Sequence, residues 1–472
     1  MLRWEWRLMS REPAFWLGAL VLIVLLLGSA HHQQSLLRDL NQDLDQHLAS
    51  FQERRENSTE LLAQVERGEK SYDSMWDDPR GYFLWHRGSV PFPLGDMAFW
   101  ATGQRDLFAP TNDLSIFSPI EIKGNEIANP VPHMFGSFDP AFVWVYLLPL
   151  WFIALTYNFV SADRERGSLR MLCAQPISAF KLYMARLAIR YGVTMVVVCV
   201  MLLICFLIAG FSPELGQSLG LLLPLTLAYG AFWFLAGFAV NLLGKGSAVN
   251  ALVLVGLWAF LALLMPAMVN AAAGEIHPVP SRVSLVTAMR GAENEAREIR
   301  DELLAQYYND HPELTEDRDQ DEYERNKAFF VYYQRMFMVG EAVARDVSPT
   351  VGRFNDQMAA QQGFERGLAF LSPMVMMDES MNLLSGVSSR QYLAYGDAAR
   401  SFSTEWHGYF KDKAHRGQMI SSNDLDQFPK FQFEAPGLQG MMMTYGLVIL
   451  IFAGILLFLA WQLRGNLMGT LS

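Results

Sequence analysis

Six runs of apolar residues dominate the hydrophobic pattern of the chain. Their interiors contain no Asp, Glu, Lys or Arg. A transmembrane helix needs about 20 apolar residues, so the pattern predicts a mainly α, polytopic membrane protein with six transmembrane helices. A soluble protein with unusually apolar core helices is the alternative, and six charge-free runs argue against it. The predicted spans cover residues 13–30, 141–160, 190–211, 219–243, 248–272 and 439–462.

The first apolar run follows a basic and aromatic segment. Arg3, Arg7 and Arg11 precede the run, and Trp4 and Trp6 suit the membrane–water interface. The run is longer than the usual core of a signal peptide, and the polar residues that follow show no small-residue cleavage pattern. We therefore expect a retained first helix, with a cleaved signal peptide as the less favoured alternative.

Two long polar segments, residues 31–140 and 273–438, separate the spans. The first opens with an amphipathic stretch from Ser35 to Val65, which predicts a helix that continues out of the membrane. Loops rich in Pro and Gly are expected after it. The second segment is predicted to be largely helical. Its apolar stripes over 286–307 and 323–344 favour a helical hairpin, and further helices are expected at about 354–384 and around 392–410.

Basic residues are distributed unevenly between the two sides of the predicted membrane. Segments 1–12, 161–190, 243–248 and 463–472 contain eleven Lys and Arg against four Asp and Glu, a net charge of +7. Since the whole chain carries −11, the remainder carries −18. The positive-inside rule then places both termini in the cytoplasm and both polar segments outside it. The negative total also argues against nucleic acid as a partner.

The loop after the second span carries the most informative local pattern. Leu169 and Leu172, three residues apart, predict a short helix. Pro176 ends it, because the residue before a proline disfavours the α conformation, and Ser178 can cap the next helix.

Gly167-Ser168-Leu169 and Pro176-Ile177-Ser178 resemble the signature of type-2 ABC exporter permeases, in which Glu-x-x-x-Gly-(Ser/Thr)-Leu leads to a Pro-(Val/Ile)-Ser turn. The resemblance implies that the short helix contacts a nucleotide-binding subunit. An ordinary basic interfacial loop is the alternative. Residues 3–7 also resemble the membrane-surface elbow helix of that family. The implied coupling surface consists of Arg164, Glu165, Gly167, Gln175, Pro176, Ile177 and Ser178.

The resemblance extends over nearly the whole chain, to an ABC-2 subfamily with a large extracytoplasmic domain of unknown function between spans. It rests on the order of short motifs rather than on any single one. Ser385-Gly386-Val387-Ser388 departs from the expected Gly-(Thr/Ser)-Asp-like turn, which concerns loop detail only. The motifs are 103–107, 129–130, Gly136, 138–139, 370–373, 382–386 and 406–410.

The spans, the charge distribution and the family resemblance together predict that the chain has five parts. They are a cytoplasmic elbow helix with the first span (1–30), a first extracytoplasmic insert (31–140), spans two to five with the coupling loop 161–190 (141–272), a second extracytoplasmic insert (273–438), and the sixth span with a cytoplasmic tail (439–472).

An ATP site is not visible in the sequence. Gly244-Lys245-Gly246-Ser247 looks like part of a phosphate-binding loop, but the required upstream glycine is missing. The chain is therefore not expected to be an enzyme by itself or to hold a cofactor, and ATP and Mg would bind in a separate ATPase subunit.

The sequence offers no clear metal site and no charged ion path. The histidines lack ligand spacing, and Met374, Met376, Met377 and Met381 suit flexible packing better than a Cu(I) site. The spans hold no ionisable residue, and ion-driven transporters usually keep one, so ATP is the expected energy source. Polar residues that would line a path or pack helices are Thr156, Asn158, Thr194, Thr226, Tyr229, Asn241 and Asn250.

The resulting hypothesis is a permease subunit of an ABC transporter in the bacterial inner membrane. It would couple ATP hydrolysis in the partner ATPase to substrate movement, as a dimer with an identical or similar permease, surrounded by lipid. One alternative is mechanotransmission to a periplasmic or outer-membrane partner without transport. A less favoured one is a membrane scaffold or receptor without an ATPase.

Overall fold

The computed structural model describes residues 2–71, 88–95, 97–103, 105, 111–118, 138–174, 178–210, 213–316, 320–424, 427–437 and 439–465. Within these residues, six helices are long and apolar enough to cross a membrane, which confirms the predicted number of spans. The first to sixth spans are Pro13–Ser50, Pro140–Glu165, Ala179–Ala209, Leu215–Asn241, Ser247–Ile276 and Gly440–Gly465.

The spans are built from helices with two local irregularities. A short helix, Leu2–Met9, precedes the first span and is called the elbow helix below. The second span combines Pro140–Phe142, a π-helical turn Val143–Leu147 and Leu148–Thr156. The fifth combines Ser247–Ala259, a π-helical turn Phe260–Leu264 and Met265–Ile276. The remaining bounds are Ala179–Ala209, Pro213–Asn241, Gln439–Gln462 and a final 3-10 turn Leu463–Gly465.

Close approach of small residues holds the second and fourth spans together. A Cβ atom on Gly237 would come within 2.3 Å of Thr156 Oγ1, so only glycine allows this approach, as is common between membrane helices. In contrast, the fifth and sixth spans each bury 22% of their most apolar window. Most of their apolar side chains therefore face outward, as lipid-facing helices require.

The helix of the first span does not end where the apolar run ends. It is one helix, Pro13–Glu66, of 54 residues, about 81 Å long at 1.5 Å per residue. Its far end reaches the second polar segment: Leu62 is buried in that segment's core, and the Glu66 carboxylate accepts hydrogen bonds from Ser422 N at 2.7 Å and Ser422 Oγ at 2.6 Å. The amphipathic pattern from Ser35 predicted this extension.

The two polar segments share one hydrophobic core. Strands Gly88–Pro91 and Thr111–Leu114 pair antiparallel, with Gly88 opposite Leu114. Tyr395 donates a hydrogen bond to Val90 O at 2.7 Å, and His407 Nδ1 lies 2.7 Å from Ile116 O. The helices are Arg282–Glu298, Arg300–Asp310, Glu313–Glu316, Gln320–Arg325, Lys327–Ala369, Pro373–Leu384 and Ser389–His415, with a 3-10 turn Ser422–Asp424.

The helical region predicted at about 354–384 ends correctly at Leu384, but its start is wrong and it is interrupted by a break. The structure has one 43-residue helix, Lys327–Ala369, which passes through Pro349. The break lies instead at Phe370–Ser372, where Ser372 Oγ accepts a hydrogen bond from Val375 N at 3.4 Å and starts a new helix at Pro373. Proline at the first helical position is tolerated because the N–H it lacks has no helical partner there. Ser372-Pro373 therefore marks a helix start, whereas Pro349 does not interrupt its helix.

A partly buried ion pair between helices, Glu341 with Lys411, predicts acid sensitivity of this shared core. Burial alone would raise the pKa of Glu341, but hydrogen bonds from His407 and Lys411 outweigh it and hold that pKa at about 2. The stabilisation is therefore complete above the ordinary carboxyl pKa of about 4.3 and is lost as pH falls toward 2.

We expect the Glu341→Gln variant to melt about 4 °C below the wild type at pH 6, with the difference shrinking by pH 3. Melting followed by circular dichroism measures it. Glu298→Gln, on an exposed helix, is the control and should match the wild type at both pH values. A difference for Glu341→Gln that stayed constant from pH 6 to pH 3 would contradict this account.

Candidate functional site

The loop between the second and third spans folds as two short helices. Ser161–Glu165 continues the second span, and Ser168–Cys173 follows it. Between them, Gly167 has a φ of +76°, which L side chains rarely adopt. Gly167 N donates to Arg164 O at 3.0 Å and closes the first helix. Gly167 of the Gly-Ser-Leu motif is thus required for the turn between the two short helices.

The described part of the loop ends at Ala174 and resumes at Ser178. Ser178 Oγ accepts a hydrogen bond from Lys181 N at 3.5 Å and caps the helix of the third span, Ala179–Ala209. The predicted coupling residues Gln175, Pro176 and Ile177 lie outside the described residues. Residues 179–190 of the predicted coupling loop 161–190 are already part of the third span, and "coupling loop" below refers to residues 161–178.

Asp163 is the residue of this loop that the sequence interpretation missed. Its carboxylate accepts hydrogen bonds from Tyr183 Oη and from Arg186 Nη1, both at 2.9 Å. It also accepts from Ser168 Oγ at 3.2 Å, so it joins both short helices to the third span. A signal was available, because Asp163 stands four residues before Gly167, at the acidic position of the Glu-x-x-x-Gly pattern.

Arg164 and Glu165 contact the turn between the fourth and fifth spans. Glu165 accepts hydrogen bonds from Ser247 N at 2.7 Å and Ser247 Oγ at 3.0 Å, at the first turn of the fifth span. A carboxylate there satisfies helix N–H groups that lack partners and complements the helix dipole. Arg164 Nη1 donates to Lys245 O at 3.1 Å. These hydrogen bonds join the loop to a neighbouring span of the same chain.

The outward surface of the coupling loop is formed by other side chains. Arg166, Gly167 and Arg170 are exposed, and the Met171 side chain is 74% exposed. An exposed methionine flanked by arginines on a basic face is suited to contact a protein partner.

The elbow helix is anchored to the third span by buried ion pairs. Glu5 is fully buried, and its two carboxylate oxygens lie 3.0 Å from Arg186 Nε and 2.7 Å from Arg190 Nε. Arg190 also pairs with Glu12 at 2.8 Å, and Arg186 pairs with Asp163 of the coupling loop. One continuous network of charges therefore connects elbow helix, third span and coupling loop.

Comparison with protein families agrees with this arrangement. Residues 110–284 match the model of the family described as ABC-2 family transporter protein. The chain belongs to the ABC-2 permease family. Residues 282–434 of this ABC-2 permease match a domain of unknown function, DUF3526. No curated protein and no solved structure gave a match.

The polar residues inside the spans of the ABC-2 permease mostly bind neighbouring helices. Asn241 is central: its Oδ1 accepts from Val160 N at 3.0 Å, Ser161 N at 3.2 Å and Asn250 Nδ2 at 3.3 Å. Its Nδ2 donates to Thr156 O at 2.8 Å. Such bonds stabilise contacts between membrane helices, which favours the packing role for Thr156, Asn241 and Asn250.

The four other predicted polar residues lie in the second, third and fourth spans. Tyr229 donates to Val145 O at 2.8 Å, and Trp144 Nε1 donates to Thr226 Oγ1 at 3.2 Å. Thr194 is fully buried in the third span, and its hydroxyl has no hydrogen-bond partner among the described residues. Asn158 is partly buried beside the coupling loop. The structure does not bring these residues together into one polar path.

Proposed function

We propose that this ABC-2 permease receives the ATP-driven movement of a separate ATPase subunit at its coupling loop and passes it to its spans. One observation carries the proposal: two acidic side chains of the loop, on either side of Arg164, bind different parts of the bundle. Asp163 binds the third span through Tyr183 and Arg186, and Glu165 binds the fifth span through Ser247. Force on the exposed face of the loop is therefore delivered to both spans and to the elbow helix.

Orientation and assembly belong to the same proposal. The net charge of +7 on the loop side and −18 elsewhere supports a bacterial inner membrane location with both termini and the coupling loop in the cytoplasm. A second, identical or similar permease would complete the assembly with two ATPase subunits. The apolar faces left uncovered on the fifth and sixth spans are available for lipid and for that second permease.

The ATP-driven movement of the spans would result either in transport of a substrate or in mechanical work on a partner outside the membrane. The second candidate, mechanotransmission, is favoured by one feature: helix Pro13–Glu66 runs without interruption from the anchored elbow region to the core of the polar segments. The two outputs differ in a reconstituted complex. Stimulation of ATP hydrolysis by a periplasmic or outer-membrane partner, without flux into or out of vesicles, identifies mechanotransmission, whereas ATP-dependent flux identifies transport.

The coupling proposal predicts the effect of changing the exposed face of the loop. We expect the double variant Arg170→Glu, Met171→Asp to lose at least about tenfold in affinity for the ATPase, because each charge is introduced into a contact surface. The measurement is co-purification and ATP hydrolysis after co-expression with the cognate ATPase.

The matched control is Arg353→Glu, which reverses one exposed charge on the long helix of the second polar segment. It should retain the ATPase at the wild-type level. If the loop variant assembled and hydrolysed ATP like the wild type, or if the wild type retained no ATPase, the coupling loop would not be the input site.

A further inference from the structure

Helix Pro373–Leu384 belongs to the second polar segment in sequence but packs among the spans. Its buried side chains Met374, Met376, Met377, Met381 and Leu383 are part of the same core as the membrane helices. It contacts the second, fourth, fifth and sixth spans and the long helix Lys327–Ala369. We call it the junction helix. The methionines thus serve as packing residues, in line with the sequence interpretation.

A segment of the first polar segment closes over the junction helix. Trp100 and Met97 are fully buried, and Ala101 N donates to Ser385 Oγ at 3.1 Å, just beyond the helix. On the other side, Ala141 N donates to Trp100 O at 2.9 Å at the start of the second span. Residues 97–103, the junction helix and the turn Ser385–Ser388 are together called the junction.

Both π-helical turns of the bundle contact the junction helix. A π turn contains one extra residue, leaves carbonyl groups without their usual helical donors and is frequent at functional sites. Here side chains supply those donors: Tyr229 donates to Val145 O at 2.8 Å and Trp258 Nε1 to Tyr146 O at 2.9 Å. Ser372 Oγ lies 3.4 Å from Leu261 O in the other turn. The second and fifth spans are therefore deformed where the junction helix meets them.

The junction helix carries two adjacent acidic residues, Asp378 and Glu379, which are partly buried beside this core. Asp378 accepts one hydrogen bond, from Asn382 Nδ2 at 3.2 Å. Glu379 Oε1 is buried without a hydrogen-bond partner among the described residues. Neither carboxyl group forms an ion pair with any described residue. An unpaired buried carboxylate is strongly unfavourable, whereas a protonated carboxyl group is tolerated.

A third carboxyl group and an unsatisfied hydroxyl lie beside them. Asp139 accepts hydrogen bonds from Thr102 N at 2.8 Å and Phe142 N at 2.7 Å, and so caps the second span. Thr102 Oγ1, in a residue only 1% exposed, has no partner among the described residues. The titratable groups that interact with the two acidic residues from the surrounding elements are Asp139, Tyr146, Tyr229, Arg366 and Tyr445, and Arg390 acts in turn on Tyr445.

The electrostatic environment of the junction favours neutral carboxyl groups. Burial, together with the Asp139 carboxylate, raises the pKa of Asp378 to about 7. Burial and the neighbouring Asp378 raise the pKa of Glu379 to about 7, and Arg366 opposes that rise only in part. A metal ion does not fit as the neutralising group, because the described residues contain no set of three His, Cys, Asp or Glu side chains placed to hold one.

We propose that the junction is a proton-operated latch, closed while Asp378 and Glu379 carry protons and released when both carboxyl groups ionise. The proton on each group passes to water on release, which exposes the carboxylates to solvent. The latch requires neither ATP nor an ATPase. Its test is therefore independent of the proposed coupling function.

The sign of the pH dependence follows from the bound protons. The closed state holds protons up to about pH 7, whereas an open, solvated carboxyl group loses its proton near pH 4. Between these values the closed state binds more protons, so closure weakens as pH rises. Each such carboxyl group changes the ratio of open to closed junction about tenfold per pH unit.

Amide hydrogen exchange of the purified, full-length permease in lipid nanodiscs tests the latch. After correction for the intrinsic effect of pH on exchange, we expect residues 97–103 and 385–388 to exchange at least about tenfold faster at pH 7.5 than at pH 5.5. In the variant Asp378→Asn, Glu379→Gln the corrected exchange should stay at the low-pH value throughout. Glu405→Gln, at an exposed position of helix Ser389–His415, should behave like the wild type.

Two results would overturn the proposal. One is a wild-type junction whose corrected exchange does not change between pH 5.5 and pH 7.5, which needs no variant at all. The other is a wild-type pH response that persists in the double variant. If the double variant does not fold, the single variant Glu379→Gln must reduce the slope of the pH response relative to the wild type, and an unreduced slope contradicts the latch.

Discussion

Replacing Glu5 with alanine is expected to release the elbow helix and to destabilise the protein by about 3–5 kcal/mol. The Glu5 carboxylate is fully buried between Arg186 and Arg190. Its removal leaves the two buried guanidinium groups without the negative charge that they share. Removing one partner of a buried ion pair in this way is strongly destabilising. Thermal melting in detergent measures the loss of stability, and limited tryptic cleavage after Arg11 measures release of the elbow helix.

Two further variants separate charge from local helix effects. Arg7→Ala lies on the exposed face of the same elbow helix and should leave both melting and cleavage unchanged. Glu5→Gln keeps hydrogen-bonding capacity but not the charge, so it should fall between wild type and Glu5→Ala. If Glu5→Ala and Arg7→Ala behaved alike, the network would not anchor the elbow helix.

The second large effect is expected at Gly340, in the middle of helix Lys327–Ala369. A Cβ atom at this position would lie 1.7 Å from Phe117 O and 2.7 Å from Phe117 C. The obstacle is backbone, so the Gly340→Ala variant must displace the segment of the first polar segment that follows strand Thr111–Leu114. The Phe117 ring also stacks on Tyr333. We expect a loss of about 3 kcal/mol in stability, measured by chemical or thermal unfolding.

Gly352 provides a control in the same helix. A Cβ atom there meets nothing within 4 Å, so Gly352→Ala should gain up to about 1 kcal/mol through helix propensity. Opposite signs for the two Gly→Ala changes would attribute the loss to the contact with Phe117. Equal, small effects at both positions would mean that the two polar segments do not pack as described.

The spans were predictable because the membrane imposes a long, charge-free pattern that no local contact can override. The extension of the first helix to Glu66 followed from the three- and four-residue spacing of its apolar positions. The Ser178 cap followed equally from local chemistry. In each case the signal and its structural cause lie within a few residues of each other in the chain.

The roles of Asp163, Glu165 and the junction helix depend on residues far away in sequence. Glu165 meets Ser247, 82 positions later, and no local pattern indicates that it caps another span. The sequence interpretation considered charged residues only within the spans. Asp378 and Glu379 lie outside them, on a 12-residue helix that packs against the spans and is too short to count as one.

The uninterrupted helix Pro13–Glu66 has a geometric consequence. It is held near its start by the Glu12–Arg190 pair and near its far end by Ser422, about 80 Å apart along a rod of 1.5 Å per residue. A rotation of about 5° at the membrane end sweeps the distal end through about 7 Å. Turning as a rigid rod, the helix would amplify displacement, so that a shift too small to open a path between spans would still move its distal end by more than a residue's width.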